Sequence, residues 1–436
     1  MEFVTRLYVE FKGESDMKRD PLVLGKDYIL SGDDIGFSRP NANALIVGTT
    51  GCGKSTSVVI PTIGLLQNSN PVLSYAKESD AYAMEKYLKS KGYRVGVLNI
   101  AHPEKSTISS DPLMSIESYE DIDALSESII NATIKKTVDD YWNAKAKALL
   151  KSLIAATIMT AKEDATPGMA DVLDMFDDLI PYESGCSVAT PLDSMFQKLE
   201  VASHGCYAVR EYNAWNTLPY KTASCVRDTL AAALSTVFPE GIRKMMQDKK
   251  QLNIERFASN KQAIIVITNA VETAQQYYAN LVYRDMIRQL LRLAAEQPNG
   301  ELPREVRFFF DDFACTAPIE GFDNDISLFR SAGISAVMLL QSESQLEKVY
   351  TKEGAAIIRQ NCSVYSYFPG GFDDRSCEIV SKRMNMAYED ILYAPLGKVF
   401  IMQSGKKPVH IPRYDTLHSK EYAEYLKANK RDTYRE

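Results

Sequence analysis

The stretch NALIVGTTGCGKST, residues 43–56, decides how the rest of the chain is read. The apolar run from Ala44 to Val47 has the composition of a buried strand and stops at Gly48. Gly48 to Ser55 then fit G-x-x-x-x-G-K-[ST], a loop whose backbone N–H groups cradle phosphates. Its glycines reach positive φ without steric cost, and the following helix turns its positive end to the same point. Lys54 is placed to reach the β- and γ-phosphates, and the Ser55 hydroxyl to hold Mg²⁺. The expected nucleotide contacts are Gly48, Thr49, Thr50, Gly51, Cys52, Gly53, Lys54, Ser55 and Thr56.

Outward from that loop, strands and helices alternate. KSTSVVIPTIGLLQ reads as a helix with Pro61 kinking it, PVLSYA as a second strand, and SDAYAMEKYLKSKG as a helix ending at Gly92. YRVGVLNI is a third strand, and the alternation points to βαβ units on a parallel sheet. Before the loop, residues 1–42 read as irregular strands with Gly-Asp turns such as SGDDIG. From about residue 117 to 250 the rhythm changes to long helical periodicities, with Trp142, Ala146, Leu149, Leu150, Leu153, Ile154 and Ile158 on one helix face. Strands return with QAIIVIT, VRFFFDDFA, ISAVMLLQ and CSVYSYFP, with helices over 273–296 and DISLFRSAG between them, and GKVFIMQSGKKPVHI closes as a hairpin. The expected division is 1–115 and 256–436 as two parts of one nucleotide-binding domain, with an all-α insertion at 116–255.

Composition narrows the function classes. The 436 residues are 45% apolar and 25% charged, as in ordinary globular proteins. A net charge of −7 gives no global attraction to nucleic acid or anionic lipid, so any DNA contact is local. Cysteines at 52, 186, 206, 225, 315, 362 and 377 form no C-x-x-C pair and read as reduced thiols. The histidines at 102, 204, 410 and 418 are dispersed, so no metal held by protein ligands alone is expected. MEFVTRLYVEFKGE carries no secretory apolar core, and ALLKSLIAATIMTA is too short and too interrupted by Lys151 to span a bilayer. The expectation is a soluble chain.

A phosphate loop needs a carboxylate on a neighbouring strand. Asp311, at the end of VRFFF, would hold the metal through water, and Asp312 would polarise the attacking water. Gln341 ends the strand ISAVMLL and can sense the γ-phosphate; Arg330 can reach a neighbouring subunit's nucleotide. Read singly, Arg330 is more simply a surface charge and Gln341 a strand-end polar residue. The catalytic candidates are thus Lys54, Asp311, Asp312, Arg330 and Gln341, with Ser55 and Asp311 on the metal. Lys77, the basic run IRKMMQDKK at 242–250, and the tail KANKRDTYRE read most simply as a loop lysine, a solvated helix face and a frayed end.

Taken in order, ALIVGTTGCGKSTSVVIPTI, LSYAKESDAY, SDPL, DDYWNAKAKALLKSLI, KTASCVRDTL, FFFDDFA, LFRSAGISAVMLLQSESQLEKVYTKEGAAIIRQNC and SGKKPVHIPRYD resemble a known family. The chain is similar to the conjugative coupling proteins of type IV secretion, the TraG/TraD-type DNA-transfer ATPases. The resemblance implies an α/β fold: a RecA-like P-loop NTPase with a central, mainly parallel twisted sheet interrupted by an all-α insertion domain. It also implies an ATP- and Mg²⁺-dependent homo-hexamer, with DNA contacts on the insertion or pore loops, that passes single-stranded DNA and its relaxase to a secretion channel. Three departures stand out. The family's usual transmembrane helices have no counterpart here, which leaves a soluble paralogue, a truncated piece of a longer chain, or a subunit whose membrane-anchored partner is separate; the expected position is the bacterial cytoplasm, peripheral at the inner face of the membrane. Asp312 stands where Glu is usual, and Tyr75-Ala76-Lys77-Glu78 where Asp-Pro-Lys-Gly is usual. A monomer in isolation, a weakly hydrolysing adaptor recruiting relaxase or effector proteins, and a soluble DNA-processing translocase outside secretion stay open.

Overall fold

A computed structural model describes residues 20–30, 42–133, 141–162, 164–179, 190–269, 273–314, 317–371 and 373–430. SGDDIG, the first 19 residues and the last six lie outside these. The described residues open with a two-stranded hairpin, β1 (Leu22–Gly25) and β2 (Tyr28–Leu30), paired antiparallel. β3 (Ala44–Gly48) leads through the phosphate loop into a π-helical turn (Ser55–Val59) and α1 (Ile60–Leu65). The backbone stays right-handed helical from Lys54 through Ile60, so Pro61 lies inside one continuous helix, at the junction where the π-helical turn gives way to α1. A change of hydrogen-bond register is where a residue without an N–H is accommodated in a helix interior. β4 (Asn70–Tyr75), α2 (Glu78–Ser90) and β5 (Arg94–Asn99) follow, and Gly92 takes φ 84° just past α2.

Between β5 and β6 the described residues are helical or irregular, apart from one isolated bridge between Ser109 and Gln251. The helices are α3 (Tyr119–Thr133), α4 (Tyr141–Thr160), α5 (Met169–Asp177), α6 (Pro191–Ala202), α7 (Tyr207–Asn216), α8 (Tyr220–Val237), α9 (Glu240–Asp248) and α10 (Ile254–Ser259). α4 buries more than the expected stripe, because Ser152, Ala155, Ala156 and Thr157 are buried too. Small side chains on that side let its neighbours approach, which a stripe of large apolar residues does not reveal.

The sheet resumes with β6 (Gln262–Ile267), α11 (Thr273–Glu296) and β7 (Val306–Phe310). DISLFRSAG is not one helix but lies across two single turns, α12 (Phe322–Asp325) and α13 (Phe329–Ala332). Phe322 and Phe329 anchor those turns in one aromatic cluster with Phe308, Phe310, Phe313 and Tyr350, so packing overrides helix propensity. β8 (Ile334–Leu340), α14 (Glu343–Gln360), β9 (Val364–Phe368), α15 (Asp374–Met384) and α16 (Tyr388–Leu392) come next. β10 (Lys398–Gln403), β11 (Val409–Pro412) and α17 (Lys420–Lys430) complete the described residues. KANK is therefore helical, not frayed: Tyr425 meets Tyr87 of α2 edge-on, with ring centroids 5.4 Å apart.

Apart from the β1–β2 hairpin, the strands form one nine-stranded sheet in the order β11-β10-β9-β3-β8-β7-β4-β6-β5. From β9 to β5 every pairing is parallel, while β10 and β11 add an antiparallel edge. Alternate residues feed opposite cores. Leu45 and Val47 face the core shared with the helical block, and Ala44 and Ile46 face the one under α1, α2 and the β1–β2 hairpin. The helical block and the sheet thus share a continuous core. Among the described residues no helix is long and apolar enough to cross a membrane.

Candidate functional site

The parallel strands bring β3, β7 and β8 to one carboxyl edge, where loops leave the sheet. β8 lies between the other two. In such sheets ligands bind outside the carboxyl ends of the strands.

β3 ends at buried Gly48. A Cβ there would stand 2.7 Å from the Phe368 carbonyl oxygen and 2.9 Å from the Cys52 sulfur, so only glycine lets β9 and the loop close this tightly. Gly51 and Gly53 hold φ 81° and 92°. The Lys54 ammonium is buried in the curl, donating to the carbonyls of Gly48 and of Thr49, the latter at 3.0 Å. Burial pushes the nearby Cys52 thiol upward against the attraction of Lys54. Thr49 packs so tightly on the β9–α15 connection that a Cβ on Gly371 would lie 1.9 Å from its methyl. Thr50 is exposed, and the Thr56 carbonyl accepts from the Thr416 hydroxyl at 2.8 Å.

Asp311 converges on this loop from β7. The Ser55 hydroxyl donates to its carboxylate at 3.2 Å. The Asp311 N–H donates to Ser74 of β4 at 2.8 Å, and the Ser74 hydroxyl faces the Asp311 carbonyl at 3.2 Å, fixing the strand end. Burial, then the negative charge of Asp312, hold the Asp311 carboxyl above its usual range; the Ser55 bond and Lys54 oppose them. A cation beside it would reverse the balance. Asp312 takes φ 55°, a left-handed conformation that Asp tolerates better than most residues. The Gln341 amide donates to its carboxylate at 3.1 Å. Asp311, Asp312 and Gln341 open on a cleft of ≈ 250 Å³ also lined by Tyr75, Thr268 and Gln276.

Lys54, Ser55, Asp311, Asp312 and Gln341 are therefore together, and Arg330 is not. It lies exposed on α13, before the amino end of β8, and the whole 7-residue strand, about 23 Å long at ~3.3 Å per residue, runs between it and Gln341. Lys77 is exposed at the start of α2. In the basic run, Arg243 is tied to Asp174 and to Asp177, the latter at 3.1 Å, and Lys249 donates to the Glu104 carbonyl at 3.2 Å. Sequence reasoning missed Ser74 and Arg413. Arg413 donates to the Cys52 carbonyl at 3.1 Å from a segment 361 positions away, and no local signal marks it. Among the described residues there is no group of three or more His, Cys, Asp or Glu suited to a metal, and Cys52, Cys206, Cys225, Cys362 and Cys377 are free thiols.

With this geometry in hand, comparison with known proteins gives a consistent result. A family described as "Type IV secretory system Conjugative DNA transfer" matches residues 8–384. The plasmid coupling protein TrwB, solved with a non-hydrolysable GTP analogue, superposes with a TM-score of 0.61 at 17% identity, covering 86% of this chain and 85% of that one. TrwB with ADP and Mg²⁺ gives 0.60 at 15% identity over 86% and 85%. VirB4 of Thermoanaerobacter pseudethanolicus gives 0.56 at 12% identity over 92% and 98%. At these identities the likeness is one of fold, the α/β fold of P-loop NTPases. No curated protein sequence matches the chain.

Proposed function

The chain belongs to the type IV secretory system conjugative DNA-transfer family, and from that premise we propose that it is an ATP-hydrolysing coupling protein. In this reading it recruits relaxase-bound single-stranded DNA and hands it to a type IV secretion channel, working as a homo-hexamer. It would sit at the inner face of the bacterial cytoplasmic membrane beside a membrane-anchored subunit. The proposed division is a nucleotide-binding domain in two parts, 1–115 and 256–436, around an all-α insertion at 116–255.

One observation carries the proposal: the buried Lys54 ammonium, the Ser55–Asp311 pair at 3.2 Å and the Gln341–Asp312 pair at 3.1 Å share one edge of one sheet. A hydroxyl and a carboxylate at that separation suit a divalent cation whose remaining positions are filled by phosphate oxygens and water. TrwB with bound ADP and Mg²⁺ supports the choice of ligand. Mg²⁺, when bound, neutralises charge on the phosphate oxygens. Lys54 then holds the terminal phosphates, and the loop N–H groups hold the rest. Asp312 accepts a proton from the attacking water, oriented with the help of Gln341.

A second reading has one observation in its favour. Asp312 is a methylene shorter than the usual glutamate, and catalysis depends on position at the 1 Å level. A slow enzyme would act as a nucleotide-gated adaptor that recruits relaxase or effector proteins.

Steady-state ATPase rate, with and without single-stranded DNA and across protein concentration, separates the two readings, with Lys54→Ala as blank. A DNA-stimulated rate rising more than linearly with protein supports the motor. Tight ATP binding with a rate at the blank's level supports the adaptor.

A further inference from the structure

Beyond residue 384, where the family match ends, the chain folds back over the phosphate loop. The strap after β11 is pinned at several points. The Arg413 N–H donates to the Gly397 carbonyl at 2.9 Å and its guanidinium to the Cys52 carbonyl at 3.1 Å. The Thr416 hydroxyl donates to the Thr56 carbonyl at 2.8 Å. α17 then docks on α2, where the Tyr87 hydroxyl donates to the Glu421 carbonyl at 3.0 Å and Lys91 pairs with Glu424 at 3.0 Å.

Loop and strap enclose a cleft of ≈ 420 Å³ lined by Gly53, Thr56, Gly397, Arg413, Asp415 and Leu417. That volume lies in the ~300–1,000 Å³ range of small-molecule pockets. Its position follows from the phosphate order. Lys54 and Asp311 mark the terminal-phosphate end, so the other end of a bound nucleotide leaves past Thr56, at the strap. The chemistry there suits a nucleoside. Leu417 is 64% exposed, and an apolar side chain at a cleft mouth gains by being covered. The Arg413 guanidinium lies over Gly53, where an added Cβ would be 2.6 Å from its Nη1, and offers a flat cationic face for an aromatic ring. Asp415, which meets His418 at 2.9 Å, offers acceptors for ribose hydroxyls.

We infer that this cleft is the nucleoside subsite, with the base between Leu417 and the Arg413 plane. The closing segment, outside the family-matched body, then sets how tightly a base-bearing nucleotide binds relative to bare polyphosphate. The inference rests on the phosphate-loop reading above.

Calorimetric titration of the full chain with ATP and with inorganic tripolyphosphate, both with Mg²⁺, tests it. Leu417→Glu should weaken ATP about tenfold, from lost apolar cover and added negative charge, and tripolyphosphate about threefold or less, from the added charge alone. Leu417→Met should bind both as the unaltered chain does. Arg413→Ala should lose more affinity for ATP than for tripolyphosphate. Unchanged ATP affinity in Leu417→Glu, or equal losses for both ligands, overturns the subsite. An unaltered chain that binds neither ligand overturns the phosphate-loop reading and the subsite with it.

Discussion

Asp312 holds its carboxylate in place by two local means: a left-handed backbone at φ 55° and the amide of Gln341 at 3.1 Å. Asn tolerates the same backbone and keeps the shape, so Asp312→Asn removes the base without removing the fold. If Asp312 takes the proton of the attacking water, turnover should fall by about 10²–10⁴-fold in that variant. ATP binding should persist. Steady-state turnover beside an ATP titration checks both, and unchanged turnover would reject the role. Asp312→Glu restores the missing methylene; a faster rate in that variant would mean that reach limits this site.

At the scale of elements, β7 ends at the site but begins in a buried polar network. Arg307 is 1% exposed within VRFFF. It donates to Glu305 at 3.1 Å, to the carbonyls of Asp20 and Pro21 at 2.8 and 2.9 Å, and to Ser335 of β8 at 3.2 Å. Removing one partner of such a pair strands a buried charge, so Arg307→Ala should cost about 3–5 kcal/mol. Removing Glu305 as well should recover part of it. Urea unfolding of the single and double variants measures the difference, and purely additive losses would deny the coupling. On α11, burial pushes Asp285 up to about 6 from 3.8. The native chain therefore keeps a proton, between those values, that the unfolded chain has lost. Stability then falls as pH rises through that window and levels off above it. Asp285→Asn escapes the loss, so its melting temperature should gain on the unaltered chain from pH 4 to 6, worth on the order of 3 kcal/mol at most. Parallel melting curves across that range would remove Asp285 as the cause.

For the molecule as a whole, the far placement of Arg330 turns its role into a question of assembly. One chain cannot bring it to its own phosphate loop, so action requires a neighbour. Mixing Arg330→Ala with Lys54→Ala chains in equal amounts should make about a quarter of the interfaces complete in a ring of heterologous contacts. Turnover above the sum of the two variants is the expected outcome. No recovery in oligomers shown to be mixed would assign Arg330 to the surface.

By itself the sequence determined the phosphate loop, the alternation of strand and helix around it, the carboxylate at the end of VRFFF and the family. Each rests on a local rule: glycines where a loop must turn, apolar runs where strands are buried, a charged residue where a strand meets solvent. The tertiary structure decided what no local rule carries. It set β8 between β3 and β7, so that Gln341 meets Asp312, sent Arg330 to the opposite edge, and buried Arg307 inside β7. It also brought Arg413 onto a loop 361 positions earlier. Strand order and long-range hydrogen bonds depend on which surfaces meet once the chain is compact, and an arginine's own neighbours in sequence do not record that.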